Sequence, residues 1–154
     1  MVIREAGLLF KNVDLVTTRY IKKSNIEIYQ IVRNELLLSL RNLIEEAFLT
    51  DIVEYLGGKK YVIAFIEEKI IISDNYEPEL LIAYCIVNNR RRIDRYINKI
   101  IIPLLKKIIY EFRTKYDKID LTEKTQYQDF KTQIDEILGD ETKTIDQKLL
   151  DDLF

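Results

Sequence analysis

The sequence contains no histidine and only one cysteine, Cys85. Without histidine, Ser-His-Asp and Cys-His catalysis are excluded, together with the commonest side-chain ligand of transition metals. A single cysteine cannot form an internal disulfide, which favours a reducing, cytoplasmic compartment. We predict that Cys85 is a packed thiol inside a strand.

Glycine (4) and proline (2) are also scarce, which favours long regular elements with few irregular loops. Gly57-Gly58 lacks the further spacing of a phosphate-binding loop, and no acidic run matches a calcium loop. We therefore expect a protein that is not an enzyme and needs no cofactor or metal. An enzyme would require acidic, lysine or tyrosine side chains that only the fold assembles in a cleft.

Long hydrophobic runs are missing as well. The segment GLLFKNVDLVTTRYI (7–21) raises the possibility of an export signal, but Lys11, Asn12 and Asp14 interrupt its apolar run after four residues. The run IIIPLL (100–105) is far short of the ~20 residues that a membrane span needs. We expect a soluble cytoplasmic protein of one-domain size, in contact with membranes only at their periphery.

The first part of the chain has the pattern of strands around one helix. Segments 2–10 and 14–22 predict an antiparallel hairpin, and a helix capped by Ser24 or Asn25 follows to about residue 49. Further strands are predicted over 51–56, 60–66, 69–73 and 79–87. Glu67-Glu68 would form the turn between the middle two. The last strand is so apolar that both of its faces should be covered.

A long helix is predicted over 90–116, with Asn88 or Asn89 as its cap. Its apolar arc covers about 200°, wider than the ~100° stripe that one sheet face requires, so a second neighbour is expected. Pro103 should distort it, because proline lacks the amide that would donate to residue 99. Its expected core face consists of Ile93, Ile97, Ile100, Leu104, Ile108 and Phe112.

The C-terminal part predicts one more helix and a short tail. Thr122 is the expected cap and Gly139 the expected stop of the first helix. Thr144 with Gln147 resembles a capping box that opens a tail helix over 144–154. We therefore divide the chain into a domain over 1–139 and an acidic tail over 140–154. The apolar face of the first helix comprises Tyr127, Phe130, Ile134, Ile137 and Leu138.

Charge is unevenly distributed. Residues 1–116 carry 19 bases and 15 acids, whereas residues 117–154 carry 5 bases and 11 acids. A solvated helix surface explains the bases of the long helix, but they also suit docking of an acidic partner, anionic lipid head groups or the tail. Nucleic acid is not expected, because aromatic residues do not interleave with a basic strand face. The candidate partner-binding residues form a basic stripe: Arg92, Arg95, Lys99, Lys106 and Arg113.

Three stretches resemble the longin and roadblock superfamily of small domains. They are AGLLFKNVDLVTTRYI (6–21), which contains the basic-aromatic pair Arg19-Tyr20, ELLIAYCIVNNRRRID (79–94), and DLTEKTQYQDFKTQIDEILGDE (120–141). The third is similar to the closing helix of adaptor-complex small chains. The resemblance covers about residues 1–140 and implies an α+β fold, ββ-α-βββ(β)-α-α, with an antiparallel sheet of about five strands flanked by helices.

This resemblance implies a non-catalytic role. Such domains form homo- or heterodimers, bind small Ras-like GTPases as regulators or platforms, and serve as subunits in vesicle trafficking. The same strand-helix order also occurs in PAS- and profilin-type sensor domains. That alternative requires a buried pocket with a few polar groups between the sheet and the helices.

Overall fold

A computed structural model describes residues 3–11, 13–21, 26–45, 55–57, 59–70 and 79–142. Its strands are β1 (Ile3–Phe10), β2 (Val13–Arg19), β3 (Tyr55–Gly57), β4 (Tyr61–Ile70) and β5 (Glu79–Asn88). Its α-helices are α1 (Ile26–Glu45), α2 (Ile93–Tyr96), α3 (Ile102–Lys115) and α4 (Lys131–Leu138). A π-helical turn over Ile97–Ile101 joins α2 to α3, and 3₁₀ helices over Leu121–Phe130 and Gly139–Thr142 flank α4. None of the helices in these ranges has the length and hydropathy that crossing a bilayer requires.

The five strands form one antiparallel sheet in the order β2-β1-β5-β4-β3. The predicted hairpin is confirmed, with Gly7 opposite Thr17, and the predicted α+β class is confirmed with it. β5 is buried without interruption from Leu81 to Val87, because α1 packs on one face of the sheet and the long helix on the other. The prediction that both faces of this strand are covered is therefore confirmed.

The predicted turn at Glu67-Glu68 is wrong. β4 continues through both glutamates, and they lie opposite Ile82 and Leu81 of β5. Their side chains are exposed, so the strand keeps its hydrogen-bond ladder without burying a carboxylate. Lys69 and Ile70, the first two residues of the separate strand predicted over 69–73, are instead the last two residues of β4. Residues 71–73, 51–54 and the predicted tail helix over 144–154 lie outside the described residues.

The long helix begins later than predicted. α2 starts at Ile93, and its N-cap residue is Arg92, whose φ of 62° lies in the left-handed region. Asn88 is the last residue of β5, so it does not cap the helix. The predicted cap at Asn88 or Asn89 is wrong, because the chain needs a left-handed residue at Arg92 to enter the helix.

The distortion expected at Pro103 is a π-helical turn just before it. The Ile102 amide donates to the Ile97 carbonyl, five residues earlier. Because a π turn contains one more residue than an α turn, later side chains rotate by about 100° relative to regular α geometry. The predicted core position Ile100 is consequently wrong, because its side chain is exposed, whereas Ile93 and Leu104 are partly buried and pack against the core. The fully buried residues are Ile97, Ile101, Leu105, Ile108 and Phe112.

The second neighbour predicted for the long helix is the C-terminal segment. Phe112 of α3 packs against Phe130, with ring centroids 5.2 Å apart, and against Tyr127 at 5.6 Å. The predicted apolar face is confirmed at its four buried members, Tyr127, Phe130, Ile134 and Leu138.

The ends of the C-terminal segment differ in part from the prediction. The cap is Asp120, whose Oδ1 accepts from the Thr122 amide at 2.9 Å, so the expected cap at Thr122 is wrong. Asp120 has extended backbone geometry and the acceptor oxygen that a cap needs. Gly139 ends α4 with a φ of 52°, as predicted.

Candidate functional site

A groove lies between the second half of β4 and the outer side of α3. It has a volume of about 350 Å³ and is open to solvent. The Tyr110 side chain stands at its rim and is 73% exposed, whereas the neighbouring Ile109 is only 7% exposed. The groove thus joins an apolar floor to an exposed aromatic ring. The lining residues are Ile66, Glu67, Glu68, Lys106, Ile109, Tyr110 and Arg113.

The groove carries charges of both signs. Lys106 and Arg113 lie on the helix side, and Glu67 and Glu68 lie on the strand side. Among the described residues, none of these four belongs to an ion pair within 4.0 Å. Partial burial raises the pKa of Glu67 above its ordinary value, and the positive charge of Lys69 offsets only part of this rise. The charges of the groove are therefore available to a partner.

The basic stripe predicted from sequence is divided in the structure. Arg92 precedes α2, Arg95 lies within it and Lys99 lies in the π turn, all exposed. Lys106 and Arg113 follow the π turn and line the groove; Arg113 also donates to the Asp117 carbonyl at 3.3 Å. The π turn rotates the residues after it by about 100° relative to those before it, so the stripe is not one continuous face of the helix.

A buried carboxylate cluster lies on the α1 face of the sheet. The Glu5 side chain is 0% exposed. The Tyr84 hydroxyl donates to its Oε2 at 2.6 Å, and the Tyr29 hydroxyl donates to its Oε1 at 3.1 Å. The Arg33 Nε donates to the same Oε1 at 2.7 Å, and the Arg19 Nε lies 3.4 Å from it. The cluster ties α1 to three neighbouring strands.

Gly7 makes this cluster possible. A Cβ atom at position 7 would lie 2.5 Å from the Val16 carbonyl oxygen and 2.8 Å from the Tyr84 hydroxyl. Such distances are far below van der Waals contact, so any larger residue would displace Tyr84. The absence of a side chain at Gly7 therefore lets Tyr84 cross β1 to reach Glu5.

Sequence reasoning missed the Glu5 cluster, although two signals were present. Glu5 and Arg4 are the two charged residues of the otherwise apolar strand β1, and Arg33 follows Tyr29 by four residues on the buried side of α1. The spacing of four residues places both side chains on one helix face. The identity of their common partner depends on the packing of α1 across the sheet, which one sequence does not reveal.

Burial and the Glu5 charge raise the pKa of Tyr29 and of Tyr84 well above the usual range. Burial also raises the pKa of the Cys85 thiol. Cys85 is fully buried in β5, so the prediction of a packed thiol is confirmed. All three groups are held in their neutral forms.

We expect stability to fall as the pH rises above about 10, the ordinary pKa of tyrosine. The unfolded chain then releases protons that the folded state retains on Tyr29 and Tyr84, so each tyrosine costs about 1.4 kcal/mol per pH unit. Below pH 10 both states hold these protons, and this contribution is fully present. Urea unfolding at increasing alkaline pH measures the slope. The Tyr29→Phe/Tyr84→Phe double variant should have a flatter slope, and an unchanged slope would contradict the assignment.

Comparison with protein-family models, with curated proteins and with solved structures finds no match for this chain. The class that the structure defines is an α+β domain whose described strands, five in number, form an antiparallel sheet with helices on both faces. Its candidate site is the groove between β4 and α3.

Proposed function

We propose that the chain is a longin/roadblock-like interaction module. In this role it pairs with a second subunit in the cytoplasm and regulates or supports a small Ras-like GTPase, or it is a subunit of a trafficking complex. The order of elements supports the proposal: a hairpin, a helix, three further strands, a long helix and a C-terminal helix. This is the order that the resemblance of the sequence implies.

The observation that carries the proposal is the groove between β4 and α3. Tyrosine and arginine are enriched at protein interfaces and often contribute most of the binding energy. Tyr110 projects from the rim, and Arg113 lies one helical turn away beside the buried Ile109. An apolar floor with an exposed aromatic ring, and with charges that form no ion pair among the described residues, is suited to a protein surface with acidic and apolar groups.

We expect Lys106→Glu and Tyr110→Ala each to weaken partner binding by about tenfold, because both remove groups from the groove. Lys107→Glu is the matched control: it makes the same charge change on the next residue of α3, which is exposed and does not line the groove. Size-exclusion chromatography with light scattering measures pairing. Pull-downs with small GTPases in both nucleotide states measure binding of the GTPase.

A strictly monomeric protein that binds no GTPase in either nucleotide state would overturn the proposal. Equal effects of Lys106→Glu and Lys107→Glu on partner binding would show that the groove is not the binding site. A PAS- or profilin-type sensor, the alternative function, needs an enclosed pocket. The groove is open to solvent, so it does not supply one.

A further inference from the structure

The outer edge of β2 has backbone groups that no described strand pairs. Among the strands that the structure describes, β2 is the last at its end of the sheet, and its neighbour is β1. The Tyr20 amide donates to the Arg4 carbonyl at 2.8 Å, so Tyr20 faces β1. Backbone direction alternates along an antiparallel strand, and Thr17 and Arg19 therefore direct their N–H and C=O groups outward.

The C-terminal segment covers only the beginning of this edge. The Gln128 side chain donates to the Leu15 carbonyl at 3.1 Å. Further along, no residue with a described position forms a backbone bond with the outward groups of Thr17 and Arg19. An open pocket of about 540 Å³ lies at this point. Its lining residues are Asp14, Thr17, Thr18, Arg19, Arg33 and Lys131.

Positive charge is in excess where the edge is open. Arg19 and Arg33 both approach one oxygen of Glu5, so two guanidinium groups share one buried carboxylate. The Arg33 Nε lies 2.7 Å from Glu5 Oε1, and the residue is only 7% exposed. Its position is therefore fixed before any ligand binds. Lys131, at the first position of α4, is exposed and adds a third cation.

The other carboxylates near the pocket already have partners. The Asp14 Oδ1 lies 3.9 Å from the Arg41 Nη2. Asp135 accepts hydrogen bonds from Thr18 and Tyr20 on the opposite face of β2. Lys131 belongs to no ion pair within 4.0 Å in the described part of the chain. Lys131 can therefore contact an acidic ligand directly. Arg19 is 39% exposed and lies 3.4 Å from the Glu5 oxygen that Arg33 already holds at 2.7 Å, so it can contact such a ligand as well.

We infer that the outer edge of β2 binds an extended acidic peptide by strand addition. The peptide backbone would pair with Thr17 and Arg19, and its carboxylates would contact Arg19 and Lys131. This edge is at the opposite end of the sheet order from β3 and β4. The inference therefore goes beyond the proposed function and does not depend on it.

The test measures binding of a fluorescein-labelled octapeptide to the full chain. Every second residue of the peptide is glutamate, and the residues between are threonine or valine. We expect Lys131→Glu with Arg19→Gln to weaken its binding by about tenfold, because two charge-assisted contacts are lost. Glutamine at position 19 can still donate to Glu5, which protects the fold. Lys124→Glu, an exposed charge reversal outside the pocket, is the matched control and should leave binding unchanged.

Amide exchange measured by NMR distinguishes strand addition from simple charge attraction. The Thr17 and Arg19 amides should become protected when the peptide binds, and N-methylation of the peptide on one edge should abolish the protection. Binding without protection at these two amides would overturn the inference. Failure to bind at peptide concentrations up to ~1 mM would overturn it as well, as would equal binding of a peptide with lysine in place of glutamate.

Discussion

Replacing Glu5 by glutamine should lower the free energy of unfolding by about 3–5 kcal/mol. The side chain is fully buried, and its charge is the partner of the buried Arg33 guanidinium. Glutamine has nearly the same shape but no charge, so Arg33 would remain buried without compensation. The two tyrosine hydroxyls would also lose a charged acceptor.

Urea unfolding at neutral pH measures this loss as a lower midpoint at constant slope. Glu68→Gln is the matched control, because Glu68 is exposed on β4, and it should stay within about 0.5 kcal/mol of the parent protein. The double variant Glu5→Leu/Arg33→Met should recover part of the lost stability, since it removes both charges together. A loss below about 1 kcal/mol for Glu5→Gln would contradict the charge pairing.

Replacing Phe112 by alanine should cost about 3–5 kcal/mol, the range observed when a large aromatic side chain is removed from a core. Phe112 is 0% exposed and contacts three aromatic rings. Its ring centroid lies 4.9 Å from that of Tyr116, 5.6 Å from Tyr127 and 5.2 Å from Phe130. This cluster holds the C-terminal segment against α3, so the cavity would weaken that contact.

Tyr110→Ala is the matched control for stability, because it removes an aromatic ring from the same helix at a site that is 73% exposed. We expect it to change stability by less than about 0.5 kcal/mol. Limited proteolysis should cleave the Phe112→Ala variant within the 121–138 region faster than the parent. Equal losses for the two variants would show that the aromatic cluster does not anchor this segment.

Much of the fold was predictable from local pattern. The β1-β2 hairpin, the helix α1 and the buried strand β5 follow from periodicity and apolar runs, whereas the hairpin register was not predicted. The turn expected at Glu67-Glu68 failed because two adjacent acids resemble a loop. Pairing with β5 instead keeps them in the ladder while their side chains remain in solvent. Tertiary pairing decided where local composition was ambiguous.

The site was predictable only in part. Lys106 and Arg113 lie together in the groove, as their spacing of seven residues suggested. Arg92 and Arg95 do not line it, because they precede Lys106 along the helix axis by about 16 Å or more. The Glu5 cluster was beyond local pattern, since Arg33 and Tyr84 are 28 and 79 residues away along the chain.

The π turn also determines how the long helix would respond to losing a residue. Elsewhere in a helix, deleting one residue turns every later side chain by about 100° and carries the apolar face away from its neighbours. Here the buried positions Ile97, Ile101, Leu105, Ile108 and Phe112 contain one residue too many for a heptad. Deletion of the exposed Lys99 would change their spacings from four, four, three and four to an alternation of three and four. Of the positions in this helix, the turn before Pro103 is therefore the place where the chain can shorten and still bury the same faces.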